Sequence, residues 1–271
     1  MMHRPLSKIA LVAFLLCLFS GHIAAQDLDF EASVHNLEGE DYLYSIDFLF
    51  FANLAEGRLR FAETDRRGVY LAELAGRTLG FVSWLTGKRT QTYTSTMEIS
   101  PDGSLRSMEY LARIDKLRWG KRQTRLERYR YDYALGKVFE EKILDGVPLT
   151  LEVLEIPEGM HPVDMLTAFY NLRSGAYGTP APGTHLLIPT CSGGKFTEIE
   201  VEVLAAVDPL LQKYFPENGL LVKVNLDPDI FDTKDGNLYV WFDEGGIPRR
   251  GILKNFAGIG DVRGHLSEED L

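Results

Sequence analysis

TYTSTMEISPDGSLRSMEYLA, residues 92–112, decides the fold. Tyr93, Ser95, Met97 and Ile99 alternate with Thr92, Thr94, Thr96 and Glu98, the period of two that sends successive side chains to opposite faces of a strand. Ser100-Pro101-Asp102-Gly103 then supplies the proline and glycine of a tight turn, and Met108, Tyr110 and Ala112 carry the return strand. The segment predicts a hairpin with one buried face and one wet face.

Outward from that hairpin the same period recurs. Tyr42, Tyr44, Ile46, Phe48 and Phe50 share a face opposite Ser45 and Asp47, and their large rings suit a pleated surface. Gly57 is expected to turn the chain into a strand carrying Leu59 and Phe61, and Gly68 to precede another over residues 69–74. Tyr129, Tyr131 and Tyr133 alternate with Arg128, Arg130 and Asp132, and Asp145-Gly146 is a hairpin dipeptide. The cleanest alternation sets Ile199, Val201 and Val203 against Glu198, Glu200 and Glu202.

A helical period appears over residues 162–174, with Pro162 at its start and Gly175 just past its end. Leu166, Phe169, Tyr170 and Arg173 stack at spacings of three and four, with Met165 and Leu172 broadening the stripe. A further helical turn is expected over residues 209–214. Neither a repeat nor a low-complexity tract divides the chain, and TPAPG at 179–183 is a short connector. Many strands and one central helix predict a mainly β fold: a curved sheet, or a closed or partly open antiparallel β-barrel, that the helix packs on or plugs.

The first residues read differently. Arg4 and Lys8 precede an uncharged apolar run over residues 9–19, and Ala24-Ala25 suit a signal-peptidase site. Residues 1–25 are therefore expected to be a signal peptide cleaved before Gln26, leaving 26–271 as a single exported, periplasmic β-rich domain. The apolar run is shorter than the ~20 residues of a membrane-spanning helix, so no transmembrane anchor is expected. Leu16 before Cys17 is unlike the small residue that lipoprotein processing needs. Of 29 basic and 39 acidic residues, cleavage removes Arg4 and Lys8 and no acid, leaving 27 against 39 and a charge of −12. So acidic a chain is not a binder of nucleic acid through bulk charge. After cleavage Cys191 is the one cysteine left, and the fold stands on packing without an internal disulfide.

Catalytic constellations are not apparent, and no cofactor is implied. A thiol nucleophile needs an imidazole within reach and a third group to orient it; His185 precedes Cys191 by six positions, but nothing marks such a partnership, and Cys191 reads as a strand-end cysteine. His35, His161, His185 and His265 lack zinc spacing. Asp227, Asp229, Asp232 and Asp235 offer the hard oxygens that calcium takes, although Phe231 breaks the alternating acid pattern and Asp235-Gly236-Asn237 also makes an ordinary turn. In an otherwise acidic chain, Arg113, Lys116, Arg118, Lys121, Arg122, Arg125, Arg128 and Arg130 cluster about Trp119. Arg118, Trp119, Lys121, Arg122 and Arg125 form a candidate anion site for lipid headgroups, anionic glycans or an acidic partner. The same run also reads as a hairpin whose exposed edge is protected by charge.

Three stretches carry a resemblance. The first is the Tyr-rich strand from Tyr42 to its following glycine, Gly57; the second is a helix with Asp164, Leu166, Thr167, Tyr170 and Arg173. The third is a C-terminal hairpin with Gly236, Val240, Trp241, Asp243, Ile247, Pro248, Arg249 and Gly260. In this order and spacing, covering nearly all of the mature chain, they resemble the exported bacterial proteins grouped as domain of unknown function 3108, with Phe242 standing where that family more often has a small or aliphatic residue. The resemblance implies an envelope-facing β-rich fold with one helix, and it carries no assigned reaction. The motif residues read as structural: Asp164 and Arg173 sit at the helix ends that favour their charges, and Trp241 offers a large area to bury.

The leading expectation is a non-catalytic binding or carrier protein for a lipid or other apolar envelope ligand, because barrels with aromatic, apolar interiors hold one small ligand. If the same residues make a filled core, the chain is instead a structural protein with an envelope protein partner. An enzyme acting on envelope polysaccharide ranks third, resting on the plentiful acids and the basic cluster.

Overall fold

The computed structural model of the chain describes residues 30–48, 51–80, 83, 87–118, 120–205, 209–216, 218–225, 237–256 and 260–267. The expected signal peptide, Trp119 and the calcium candidates Asp227, Asp229, Asp232 and Asp235 lie outside the described residues, as does the side chain of Arg118.

The alternating segments form strands: β1 (Glu40–Phe48), β2 (Phe51–Glu63), β3 (Val69–Thr78), β4 (Thr90–Ile99), β5 (Leu105–Arg118), β6 (Lys121–Asp132), β7 (Lys137–Leu144) and β8 (Val147–Glu155). After helix α2 (Met165–Ser174) come β9 (His185–Ser192), β10 (Lys195–Val203), β11 (Leu220–Asn225), β12 (Asn237–Phe242), β13 (Pro248–Phe256) and β14 (Gly260–Leu266). A short α1 (Phe30–His35) precedes β1, and α3 (Pro209–Gln212) lies between β10 and β11. All fourteen strands join one antiparallel sheet, in the order β8-β7-β6-β5-β4-β3-β2-β1-β14-β13-β12-β11-β10-β9. Two meanders are thus sewn together where β1 meets β14, with Tyr44 opposite Leu266 and Phe48 opposite Val262. The edges of the sheet are β8 and β9, the strands that α2 connects, and no ladder joins them.

The sheet rolls past itself instead of closing. Residues directly opposite one another share a face, and the inner face is the one on which α2 packs. On β9 and β10 that face carries Ile188, Ile199 and Val201, so Cys191 and its partner Phe196 point outward. Cys191 is nevertheless buried, clustered with Tyr129, Tyr131 and Val138, and Phe196 packs against the same group. Tyr129 lies opposite Tyr110, whose other neighbour is Ser95, on the inner face. The outer face of the β9 edge is therefore tucked against the inner face of β6 and β7.

Helix α2 fills another part of the roll. From Leu166 to Ser174 every residue is buried. Tyr170 stacks on Phe61 with ring centroids 4.0 Å apart, and Phe61 stacks on Tyr70 at 5.1 Å. Burial of each such large apolar side chain stabilises by roughly 1.5–3 kcal/mol. The helix begins later than Pro162 suggests. Asp164 is its N-cap, and the carboxylate accepts from the amides of Leu166 at 2.9 Å and Thr167 at 3.0 Å. Gly175, at φ 82°, ends it with a left-handed turn. Midway, Asn171 grips the main chain of Leu105, accepting from its amide at 2.7 Å and donating to its carbonyl at 2.8 Å.

Two strand expectations need correction. Gly57 does not turn the chain; it lies within β2, opposite Tyr44 and Gly76, and the β1–β2 connection falls between the paired Phe48 and Phe51. In β5 the alternation slips: Thr96 faces Glu109 while Met97 faces Ser107, so Met108 is the extra residue of a bulge. Leu105 and Ser107, each 1% exposed, take the inward places next to Tyr110 that Met108 was expected to share.

A second cluster lies on the outer face, where Trp241 packs with Leu211 and Phe215 at α3 and with Leu221 and Ile252. Gly219, at φ 138°, is required there, because a Cβ would stand 2.1 Å from the Phe242 carbonyl oxygen and 2.8 Å from Trp241 Nε1. By contrast, the edge strand β8 leaves Val147, Leu149, Leu151 and Val153 exposed; Leu151 and Val153 lie on its outward face, Leu149 is the extra residue of a bulge, and Val147 beyond it pairs with Leu144.

Candidate functional site

The interior divides into two regions of different chemistry. Where α2 packs, it is mainly apolar, with the Asp164, Asn171 and Arg173 contacts set into it; over β4 to β8 the same face is aromatic and polar. Strand register aligns it in rows. Gln91 faces Ile114, which faces Arg125; Tyr93 faces Ala112, then Glu127, Lys142 and Thr150; Ser95 faces Tyr110, then Tyr129, Glu140 and Glu152. Tyr93, Tyr110 and Tyr129 make a slanting aromatic line, with centroids 6.3 Å and 6.1 Å apart. Tyr110, Ala112 and Ile114 belong to a strand paired on both sides, yet they are only half-buried. The side chains of Arg125, Glu127 and Lys142 are 57%, 26% and 28% exposed. This part of the concave face is partly open to solvent, around Tyr110, Ala112, Ile114 and the Arg125, Glu127 and Lys142 side chains.

At one end of the open strip the rolled-in β9–β10 turn caps a buried carboxylate. Glu140 is fully buried; its Oε1 accepts from Tyr129 Oη at 2.8 Å and lies 2.9 Å from Lys142 Nζ. Tyr129 Oη in turn accepts from the Gly193 amide at 3.1 Å. A Cβ on Gly194 would sit 3.1 Å from Glu140 Oε2 and 3.2 Å from Glu152 Oε2, so a glycine lets the turn settle over the two acids. The hydrogen bond to Glu140 raises the pKa of Lys142, and burial followed by the Glu140 hydrogen bond raises that of Tyr129. Glu140 Oε1 thus holds phenol and ammonium together, while its Oε2 is buried without a hydrogen-bond partner among the described residues.

The opposite end holds Arg89 and Gln91. The Arg89 carbonyl accepts from the Thr78 amide at 3.3 Å, which continues the ladder one residue beyond β4 and places Arg89 on the same face as Gln91. Arg89 is 6% exposed and Gln91 1%. Among the described residues Arg89 Nε and Gln91 Oε1 have no hydrogen-bond partner, while Gln91 Nε2 donates to Tyr93 Oη at 3.3 Å. Neither residue was singled out in the sequence, where Arg89 stands in an ordinary Lys-Arg-Thr run.

The five residues of the predicted anion site do not share one face. Arg125 points inward, beside Glu127, to which it donates. Arg122 lies opposite Leu117 on the outer face and reaches Asp115, with Nε 3.2 Å from Oδ1. Lys121 is exposed next to Arg122. Burial pushes the Asp115 carboxyl up, but hydrogen bonds from Arg113, Thr124 and Arg122 outweigh it and hold the group at about 2. On the outer face Arg113 and Arg122 therefore share one carboxylate, and Arg128 pairs with Glu109 and Glu141.

Motif residues take structural places. Asp164 Oδ2 accepts from Ser95 at 2.7 Å, Ser107 at 2.6 Å and Thr167 at 2.8 Å, so the cap is also a bolt between α2, β4 and β5. Arg173, expected to answer the dipole at the helix end, instead pairs bidentately with Glu40 in the interior. Arg249 donates to Asp243 at 2.6 Å, and Asp243 also accepts from the Ile247 amide at 2.9 Å, which ties the β12–β13 turn.

Cys191 and His185 are separated, since the imidazole is exposed and lies 2.8 Å from Glu200 Oε1. Burial, with the Glu140 charge adding to it, pushes the Cys191 thiol up to about 12. Among the described residues, His35, Glu38 and Glu63 bring ligand atoms within 4.8 Å of one another. His35 Nδ1 is already 2.9 Å from Tyr70 Oη, which serves the α1–β3 contact, and Glu63 Oε1 accepts from the Gly68 amide at 2.6 Å, which ties the β2–β3 turn.

The architecture defines a barrel-like antiparallel β protein with an internal helix. No family model matches the chain, and no curated protein does. Among solved structures it is similar to a beta-barrel-like protein of domain of unknown function DUF1849 from Brucella abortus, at 13% identity and a TM-score of 0.43, over 84% of this chain and 94% of that one. That score is too low to establish a common fold.

Proposed function

We propose that the chain is an exported, non-catalytic binding or carrier protein of the cell envelope, related to the exported proteins it resembles in sequence, whose open concave strip holds a lipid or other apolar ligand. One observation carries the reading: Tyr110, Ala112 and Ile114 are half-buried on the inward face of a strand paired on both sides. Apolar side chains in such a position lose favourable burial unless something covers them. The engaged state of Glu140 and the raised Cys191 thiol support a binding role over a catalytic one.

Native mass spectrometry with lipid extraction, on protein purified from its own compartment, tests this. A stoichiometric copurified lipid supports the carrier reading. Apo protein that takes up no added fatty acid or phospholipid overturns it and shifts weight to an interaction role in envelope assembly, for which the exposed apolar row of β8 is the evident surface.

A further inference from the structure

The concave strip ends at a cation that has no counter-ion. Among the described residues no carboxylate pairs with Arg89, and its Nε is buried without an acceptor. Gln91, two residues on along the same face, has a buried carbonyl oxygen with no donor. Arg125, whose like charge acts on Arg89, is already bonded to Glu127. Burying an uncompensated guanidinium costs several kcal/mol, and native proteins rarely leave one so placed without a partner. Burial acts to lower the Arg89 pKa, the Tyr93 hydroxyl acts the other way, and the like charge of Arg125 lowers it again.

A bound anion answers the unpaired guanidinium. Its oxygens accept from the guanidinium in the forked geometry that carboxylate and phosphate share. If an acid group or a reoriented amide supplies a donor, the Gln91 carbonyl is satisfied too. From this end the aromatic line of Tyr93, Tyr110 and Tyr129 leads away along the open strip, and Ala112 and Ile114 lie beside it. The strip is thus cationic at this end and carries an aromatic line beside the charged side chains of Arg125, Glu127 and Lys142.

We propose that Arg89 and Gln91 form the headgroup end of the concave strip, so that the ligand is an amphiphile with a single anionic carboxylate or phosphate head. This rests on the binding reading above and adds the ligand's charge, its polarity and its direction in the site. Arg89 is the charge partner; Gln91 and Tyr93 set the rim.

Calorimetric titration of the mature protein with decyl phosphate, decyl maltoside and inorganic phosphate, each detergent below its micelle concentration, separates the alternatives. The expected result is that decyl phosphate binds at least tenfold more tightly than decyl maltoside. Arg89→Gln removes that preference and Arg89→Lys keeps part of it. Should Arg89→Gln fail to fold, Gln91→Glu still decides. It places a carboxylate beside Arg89, so it is expected to raise the melting temperature while abolishing the preference for the anionic head. Equal binding of the two detergents overturns the headgroup site and leaves the carrier reading standing. Binding of neither overturns both. Inorganic phosphate binding as tightly as decyl phosphate overturns the amphiphile and points to a free anion.

Discussion

Glu40, at the start of β1, clasps Arg173, which lies 133 residues further along the chain at the end of α2, and the Glu40 Oε1 to Arg173 Nη2 bond is 2.6 Å. Their side chains are 12% and 3% exposed, and Tyr42 donates to the same carboxylate at 3.1 Å. Burial works to lower the Arg173 pKa, but Glu40 outweighs it and the net direction is up. Glu40→Ala leaves a buried guanidinium unpaired and is expected to cost about 3–5 kcal/mol in urea unfolding. The double change Glu40→Leu with Arg173→Met, which removes both charges, is expected to be less destabilised than Glu40→Ala. A double variant as unstable as the single one, or worse, contradicts this account.

Asp164 makes a pH prediction. Burial, the largest influence, raises its pKa above the ordinary 3.8, against hydrogen bonds from Ser107, Ser95 and Thr167 that lower it. A folded-state value above the unfolded one means that the group's contribution is complete below 3.8 and is lost as pH rises through the raised value. The stability of the wild type relative to Asp164→Asn is therefore expected to fall as pH is raised across that window. A pH-independent difference between the two refutes the assignment. Asp164→Ala, which strands two amides and three hydroxyls, is expected to cost about 3 kcal/mol at low pH, and the difference from wild type is expected to shrink over the same window as it does for Asp164→Asn.

Cys191 is expected to resist alkylation in the native state. With its thiol pushed to about 12 and its sulfur under Tyr129 and Tyr131, iodoacetamide at pH 8 labels it only as fast as the protein opens. Labelling is expected to become rapid across the urea transition. Rapid labelling of folded protein at pH 8 rules out the tucked-in β9 edge.

The β8 row offers a solubility prediction. A long edge strand with exposed Leu149 and Leu151 is prone to pair with other chains. Replacing both with Lys is expected to change unfolding stability by less than about 0.5 kcal/mol per site and to lower light scattering at high protein concentration. Increased scattering, or a large loss of stability, means that these side chains are covered in the folded protein.

Legibility followed locality. The alternation at Tyr44 and Ile46, the Ser100–Gly103 turn, the Asp145-Gly146 hairpin and the Val201 face were readable because neighbouring residues decide them. Gly57 was misread because a glycine inside a strand and one in a turn look alike without the partners Tyr44 and Gly76. Met108 failed because a bulge belongs to a pair of strands and not to either alone. The Glu40–Arg173 clasp and the inner-face rows depend on register across the sheet. Arg89 was invisible for a related reason: only the fold distinguishes a buried cation from the solvated ones beside it.

The seam between β1 and β14 sets an order of events during synthesis. Ser45 and Ser267, 222 residues apart, lie 3.2 Å from each other across it. A ribosome delivers β1 among the earliest strands and β14 last, so one hydrogen-bonding edge of β1 stays unsatisfied through almost the whole of translation. A nascent chain halted before residue 260 has open edges at both β1 and β13, and its two meanders are no longer held together by a ladder.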